Sequence, residues 1–195
     1  SFLFNFEILL CSIDISKAFS DSAILRPEQA SQLVKLCEFQ NSAKWTLLYR
    51  GTRDGLNAAA FHTRCDHKPN TLTIVIAVET GYIFGGFTSA TWNAKTVWKR
   101  DPNAFLFSLT NQQSRPEKLK LKKNESAIYC SGTDGPIFGY GNDLYIDLSD
   151  ESYANLGFSY ELPANCAAPD TPESASFLAG TPQFTLAEIE VYQRV

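Results

Sequence analysis

The stretch from residue 71 to residue 87, TLTIVIAVETGYIFGGF, constrains the fold of this chain more than any other. Its first half is apolar at both odd and even positions, which is typical of a β-strand buried on both faces. Residues 79–81 favour a tight turn, and an aromatic, β-prone segment follows them. The pattern predicts a β-hairpin at the centre of a sheet. Gly85 and Gly86 interrupt the second arm, where glycine indicates a bulge or a close approach of a backbone or ligand, and we favour the bulge.

Patterns along the rest of the chain predict short strands and two helices. Apolar residues recur at helical spacing between Pro27 and about Phe39, and residues 57–65 are rich in alanine, so we predict a helix at each place. Alternating or aromatic segments predict strands at residues 45–49, 103–109, 117–122, 126–130, 143–148 and 184–195. Residues 131–141 and 163–175 are predicted loops because they are rich in Gly, Pro or small residues. The core is therefore predicted to be mainly β.

Length and charge exclude several classes of protein. A chain of 195 residues is long enough for one well-packed domain. A net charge of -4 with a pI near 5.2 argues against nucleic-acid binding, which needs an excess of clustered Lys and Arg. The one basic cluster alternates with leucines, which predicts a strand with a solvated face. The cluster consists of Lys118, Lys120, Lys122 and Lys123. No apolar run approaches the roughly 20 residues of a membrane-spanning helix, which predicts a soluble protein.

Residues 1–18 are apolar and lack the basic start and the cleavage site of a signal peptide, so we predict an extension that packs on the domain. The sequence contains no Met, from which we expect an amino terminus set by processing or by a chosen boundary. Asn124 begins a formal glycosylation sequon, Asn-Glu-Ser, which matters only if the chain is secreted.

The cysteines and acidic clusters predict no metal site. Five cysteines lie far apart without a CxxC pair, which predicts reduced, mostly buried thiols, at Cys11, Cys37, Cys65, Cys130 and Cys166. His62, Cys65 and His67 have a spacing that is not standard for zinc. The acidic residues at 143, 147, 150 and 151 lack the calcium-loop pattern and predict a solvated rim. We expect no metal and no cofactor.

Several segments together resemble one known family, the TLDc domain. The similar segments occur in the same order and spacing, from about Phe19 to the end: WTLLYRG at 45–51, RDG at 53–55, FHTRCD at 61–66, TLT at 71–73, GYIFGGFT at 81–88, AFLFSL at 104–109, GPIFG at 135–139 and EIEVY at 188–192. The resemblance implies a two-layer antiparallel β-sandwich with a few short peripheral helices, formed by residues 19–195. It also implies a link to oxidative-stress protection and to the vacuolar proton-pumping ATPase.

The residues argue against catalysis. A nucleophile needs a neighbouring base, and the chain offers His62 and His67 but neither a G-x-S-x-G nor an H-E-x-x-H motif. Glu188 and Glu190 could serve as an acid/base pair, yet they alternate with core residues on a predicted strand, which favours a structural, hydrogen-bonding role. We therefore predict a protein that is not an enzyme.

Two hypotheses remain. In the first, the chain is a noncatalytic cytoplasmic module that binds a protein, with vacuolar ATPase subunits as the expected partner, through residues that include Gly85, Gly86, Phe87, Gly135, Phe138, Gly139, Gly180, Glu188 and Glu190. A redox version of this hypothesis adds oxidation of Cys65 or Cys130, which requires an exposed thiol of lowered pKa. In the second, the chain is secreted and lectin-like, with a possible Cys11–Cys166 disulfide, and binds a small polar ligand or glycan through Trp92, Trp98, Tyr140 and Tyr153.

Overall fold

The computed structural model describes residues 15–122 and 125–195. After a 3-10 turn at Ile15–Lys17, the helices are α1 (Pro27–Leu36), α2 (Gly51–Asp54), α3 (Ala58–Cys65) and α4 (Pro172–Ser176). The strands are β1 (Trp45–Arg50), β2 (Thr71–Ala77), β3 (Ile83–Thr88), β4 (Val97–Lys99), β5 (Phe105–Ser108), β6 (Glu117–Lys120), β7 (Ile128–Cys130), β8 (Ile137–Phe138), β9 (Leu144–Tyr145), β10 (Ser152–Ala154), β11 (Gln183–Phe184) and β12 (Leu186–Arg194).

The strands form two six-stranded sheets. The first has the order β1-β12-β2-β3-β5-β6 and the second the order β11-β10-β9-β8-β7-β4. Every pairing between these strands is antiparallel. The prediction of a mainly β, two-layer antiparallel sandwich with short helices is confirmed. None of the helices in the described ranges is long and apolar enough to cross a membrane.

The hairpin predicted at residues 71–87 lies at the centre of the first sheet, as β2 and β3. Gly81 lies in its turn with a φ of 69°. The favoured bulge at Gly85 and Gly86 is wrong, because the two strands stay in register through both glycines. A Cβ on Gly85 would lie 1.9 Å from the Thr73 carbonyl oxygen, and one on Gly86 would lie 2.7 Å from the Phe138 ring. Close approach is the reason for both glycines.

The main core lies between the two sheets. The inward residues of the first sheet, such as Val75, Phe84 and Leu106, meet those of the second in one buried cluster. Phe84 and Phe184 pack edge to face with ring centroids 5.1 Å apart, and Phe138 packs in the same way on Trp92. Such aromatic pairs contribute about 0.5–1.5 kcal/mol each beyond the burial of their area.

A second buried cluster covers the outer face of the first sheet. Helix α1 begins at Pro27, whose fixed φ suits the first turn, and its apolar face carries Leu33 and Val34. These side chains pack with Phe19 against outward residues of the sheet, including Leu72, Ile74, Phe87, Phe107 and Tyr192. The first sheet is therefore buried on both faces, which explains why β2 has apolar residues at consecutive positions.

Asp101 organises the long connection between β3 and β5. Its carboxylate accepts hydrogen bonds from the hydroxyl groups of Thr88 and Ser89, at 2.7 and 2.6 Å, and from the backbone N–H of Asn103 at 3.0 Å. Burial opposes ionisation, but the hydrogen bonds from Ser89 and Thr88 outweigh it, so the pKa of Asp101 lies below its ordinary value.

Short regular elements also form where no helix or strand was predicted. The predicted loop at 131–141 holds strand β8, and the loop predicted at 163–175 runs into helix α4, whose start is capped by Thr171 and Ser174. The polar turn after β1 forms helix α2. Elements of two to five residues are too short to show a repeating hydrophobic pattern, so sequence periodicity misses them.

Candidate functional site

The glycines and Phe87 predicted on β3 lie inside the structure. Gly85, Gly86 and Phe87 belong to a fully buried strand rather than to a loop. Gly135, Phe138 and Gly139 are buried as well, and Phe138 contacts the first sheet at Gly86. Gly180 alone among the predicted glycine positions is exposed. The buried residues can support a binding surface from behind but cannot touch a partner.

Glu190 holds the segment before α1 onto the first sheet. Its buried carboxylate accepts hydrogen bonds from the Ser22 hydroxyl at 2.6 Å and from the Ala23 backbone N–H at 2.7 Å. The Arg50 guanidinium donates to the same carboxylate at 2.9 Å and completes an ion pair. All these contacts are internal, so Glu190 has the structural role that the strand pattern favoured.

Glu188 caps the short helix α2. It accepts a hydrogen bond from the backbone N–H of Thr52 at 3.1 Å and another from the Thr52 hydroxyl. A carboxylate at a helix N-terminus satisfies N–H groups that have no partner inside the helix. Glu188 is nearly buried, and it too is engaged within the chain.

The two redox candidates have buried thiols. Burial raises the pKa of Cys65 and of Cys130 above the ordinary thiol value, which lowers the fraction of reactive thiolate. Cys37 is buried as well, and Cys166 is partly exposed. No disulfide joins two of the cysteines in the described ranges. Cys11 and Asn124 lie outside the described residues, so the Cys11–Cys166 disulfide and the glycosylation of Asn124 stay predictions.

His62 makes a local link instead of joining a metal cluster. Its Nδ1 lies 2.8 Å from the Asp66 carboxylate and its Nε2 lies 2.7 Å from the backbone carbonyl of Ser131. Cys65 is buried and His67 is exposed. Within residues 15–122 and 125–195, no group of three or more His, Cys, Asp or Glu residues is arranged to hold a metal ion.

The outer face of the second sheet carries a continuous row of large side chains. Inward residues such as Ile128, Phe138 and Leu144 enter the core, so their strand neighbours point outward. Strand register places these outward residues side by side, each paired with the next: Trp98, Tyr129, Ile137, Tyr145, Tyr153 and Gln183. We call this set the aromatic row.

The two ends of the aromatic row are accessible to solvent. Trp98 is 37% exposed, and its ring lies 4.3 Å from that of Tyr129 and 5.1 Å from that of Tyr140, measured between centroids. Tyr140 is 66% exposed. Towards the other end, the rings of Tyr145 and Tyr153 stack with centroids 4.8 Å apart. Ile137 is buried between the two aromatic groups.

Polar neighbours fix the tyrosines in place. The Tyr145 hydroxyl donates a hydrogen bond to Asp134, and the Asn142 amide donates to the Tyr153 hydroxyl at 2.7 Å. Partial burial and the Asp134 carboxylate raise the pKa of Tyr145, so its ring stays neutral at physiological pH. Rings held in this way lose little conformational entropy when a partner binds.

One groove lies at the connection between β9 and β10, and another is lined by members of the row. The first, of about 500 Å³, is lined by Leu56, Asp147, Asp150, Glu151 and Thr185 among others. The second, of about 530 Å³, is lined by Tyr153 itself together with Asn155, Asp170, Pro172 and Gln183. The aromatic row and its grooves form a surface with both apolar and polar contact points.

Sequence reasoning found part of this face. Trp98, Tyr140 and Tyr153 were predicted as ligand contacts, and they do share the outer face of the second sheet. Trp92 does not, because it is buried with its Nε1–H donating to the Thr71 hydroxyl at 2.9 Å. Tyr129 and Tyr145 were missed, although each stands between two core residues in a predicted strand, a pattern that indicates an outward position.

Comparison with known proteins identifies the family. A model of the TLDc domain matches residues 18–195. The similar proteins include the MTOR-associated protein MEAK7 of Gallus gallus, 28% identical over 156 residues, which are 76% of this chain and 31% of the relative. The protein of that name from Xenopus laevis is 23% identical over 155 residues, 76% of this chain and 32% of the relative. That from Danio rerio is 33% identical over 69 residues, 35% of this chain and 15% of the relative.

The chain thus spans less than a third of the length of these relatives. The family model matches nearly the whole length of this chain, and the two-layer sandwich agrees with the match. The chain belongs to the TLDc domain family.

Proposed function

We propose that this chain is a noncatalytic protein-binding module and that the aromatic row is its partner surface. The observation that carries the proposal is the difference between the two outer faces of the sandwich. Helix α1 and residues 19–25 bury the outer face of the first sheet, whereas the second sheet presents partly exposed rings of Trp98, Tyr140 and Tyr153. Tyr and Trp are enriched at protein interfaces and among the residues that dominate binding energy.

The size of the face suits a protein partner. Six strands spaced about 4.8 Å apart make the row about 24 Å long. A standard interface buries about 800 Å² on each partner, equivalent to a square with sides of about 28 Å. The aromatic row with its two grooves therefore offers a surface of the required order.

The engagement of the acidic and imidazole groups supports a noncatalytic role. The carboxylates of Glu188 and Glu190 accept hydrogen bonds from within the chain. Both ring nitrogens of His62 contact acceptors within the chain. A general base needs a free position within hydrogen-bond reach of a substrate. These groups would have to break structural contacts to serve in that way.

The family suggests particular partners. The TLDc resemblance favours subunits of the vacuolar ATPase, and the MEAK7 relatives are described as MTOR-associated. We include both assemblies as proposed partners of this chain. A contribution to oxidative-stress protection would then act through a bound partner, because burial raises the pKa of the Cys65 and Cys130 thiols.

Affinity capture with a matched pair of variants tests the proposal. The wild-type chain and the Trp98→Ala/Tyr140→Ala variant are immobilised and exposed to purified vacuolar ATPase subunits or MTOR complexes at low salt. Val78→Ala is the control, since Val78 is also an exposed apolar residue, 58% exposed, but lies outside the row. We expect the double variant alone to lose binding. Equal retention by all three proteins would contradict the proposed face, and no retention at low salt would contradict the proposed partners.

One observation favours the glycan-binding alternative. Trp98, Tyr140 and Tyr153 share one face, and the Asn142 amide lies beside Tyr153, a combination of rings and polar groups that suits a sugar. An intact-mass measurement separates the two hypotheses. Glycan on Asn124 or a Cys11–Cys166 disulfide would favour secretion, whereas an unmodified mass with free thiols would favour the intracellular module.

A further inference from the structure

Acidic and basic residues are segregated along the chain. Of the 21 Asp and Glu residues, 11 lie between positions 124 and 193, a stretch that contains no Lys or Arg. All but one of the 17 Lys and Arg residues precede it. The modest net charge of -4 hides this division, because the two parts largely cancel.

The fold converts this division into a polarised face. Strands β7 to β11, five of the six strands in the second sheet, come from the acidic stretch. Strand β4, which bears Trp98, comes from the basic part and has Lys95 and Arg100 beside it. The aromatic row therefore runs from a basic end at Trp98 to an acidic end at Tyr153.

The acidic groups lie next to the stacked tyrosines. Asp147 follows Tyr145 by two residues and Glu151 precedes Tyr153 by two, so both lie at the same end of the β9–β10 pair. They line one groove together with Asp150. Asp150 and Glu151 are exposed, and within residues 15–122 and 125–195 no Lys or Arg forms an ion pair with any of these three carboxylates.

We propose that the acidic end of the aromatic row binds a basic segment of the protein partner, one in which Arg or Lys residues alternate with apolar or aromatic ones. This inference rests on the proposed function and names the chemistry of the partner. A guanidinium group can stack on a face of Tyr145 or Tyr153 that the stacking of these two rings leaves uncovered, while the exposed carboxylates of Asp150 and Glu151 pair with its charge. Complementary charge also steers the encounter of two proteins.

The same charges discriminate against other occupants. A phosphate backbone or an anionic membrane surface would meet Asp147, Asp150 and Glu151 and be repelled. Two copies of this chain cannot pair through their acidic ends without bringing like charges together. A basic protein segment is the occupant that both the rings and the charges favour.

Selection from a random 12-residue peptide library tests the inference. The library is displayed on phage and selected on the full chain at 50 mM NaCl, and peptides that also bind the Trp98→Ala/Tyr153→Ala variant are removed. We expect the remaining peptides to be enriched in Arg and Lys beside apolar residues. Face-dependent peptides without that enrichment would overturn the inference and leave the proposed function standing. Finding no face-dependent peptide would overturn both.

A charge-reversal pair keeps the test independent of the ring substitutions. Glu151→Lys is expected to lower the affinity for the selected peptide about fivefold. Glu28→Lys on α1 changes the net charge equally and is expected to leave that affinity unchanged. The affinity should also fall about tenfold between 50 and 500 mM NaCl, because salt screens exposed charges. Equal losses in both variants or a salt-independent affinity would overturn the inference.

Discussion

Gly85 provides the sharpest test of how the first sheet is built. The position was predicted to contact a partner, yet the structure places it in β3 with the Thr73 carbonyl oxygen 1.9 Å from where a Cβ would stand. That oxygen belongs to the backbone of β2, so no side-chain rotation can relieve the contact. The Gly85→Ala substitution must push apart the two central strands of the sheet.

The neighbouring glycine gives a matched comparison. A Cβ on Gly86 would meet the Phe138 ring at 2.7 Å and the Leu106 side chain at 2.9 Å. Side chains can shift by a few tenths of an ångström, so Gly86→Ala should cost about 1–2 kcal/mol, towards the lower part of the range for overpacked cores. Gly85→Ala should cost about 3 kcal/mol or more, because its obstacle is backbone.

Thermal unfolding followed by circular dichroism measures the difference. For a chain of this size, 1 kcal/mol corresponds to about 2–4 °C in Tm. We therefore expect Gly85→Ala to lower the Tm by about 6–12 °C or to prevent accumulation of folded protein, and Gly86→Ala to lower it by about 2–8 °C. A Gly85→Ala protein that melts within about 1 °C of the wild type would refute the reasoning, and a partner-binding role for an accessible Gly85 would then regain support.

Three further predictions concern polar and thiol groups. Glu190→Gln should cost about 2–3 kcal/mol in urea unfolding, because Arg50 loses its buried partner; a cost near zero would show that the ion pair does not stabilise the fold. The pKa of Asp101 is lowered in the folded state, so its ionisation stabilises the protein above the unfolded pKa of about 3.9, and this contribution disappears as pH falls through the folded pKa. Asp101→Asn should accordingly lower the Tm at pH 7 and converge with the wild type in acid; a constant difference would contradict this. Iodoacetamide under native conditions should modify Cys166 before the buried thiols, as read by peptide mass spectrometry, and earlier labelling of another described cysteine would contradict the burial of Cys37, Cys65 and Cys130.

The features that sequence reasoning predicted correctly depend on local patterns. The β2–β3 hairpin was predictable because consecutive apolar residues, a turn and a second aromatic arm lie within 17 residues. Helix α1 was predictable from Pro27 and the apolar spacing after it. In each case the interaction that decides the structure joins residues close in sequence.

The features that were missed depend on distant contacts. Whether Gly85 marks a bulge or a close approach is decided by the Thr73 carbonyl on the neighbouring strand, which no local pattern reveals. The aromatic row needs the register of five pairings, and the loop lengths between those strands do not fix it. The sequence indicated Trp98 and Tyr153 as candidate contacts, which stay predictions, but it did not reveal their arrangement in one row.

The acidic stretch has a second physical consequence for a face of this kind. Exposed rings on one sheet surface favour self-association, and Trp98 and Tyr140 are each more than a third exposed. Carboxylates of one sign at the Tyr153 end make contact between two such acidic ends unfavourable, while the rings stay open to a partner of opposite charge. Removing the carboxylates would therefore weaken the binding of a basic ligand, and it would also remove the repulsion between two acidic ends. A chain whose acidic end is neutralised should therefore lose its preference for basic partners before it loses the contact area of the aromatic row.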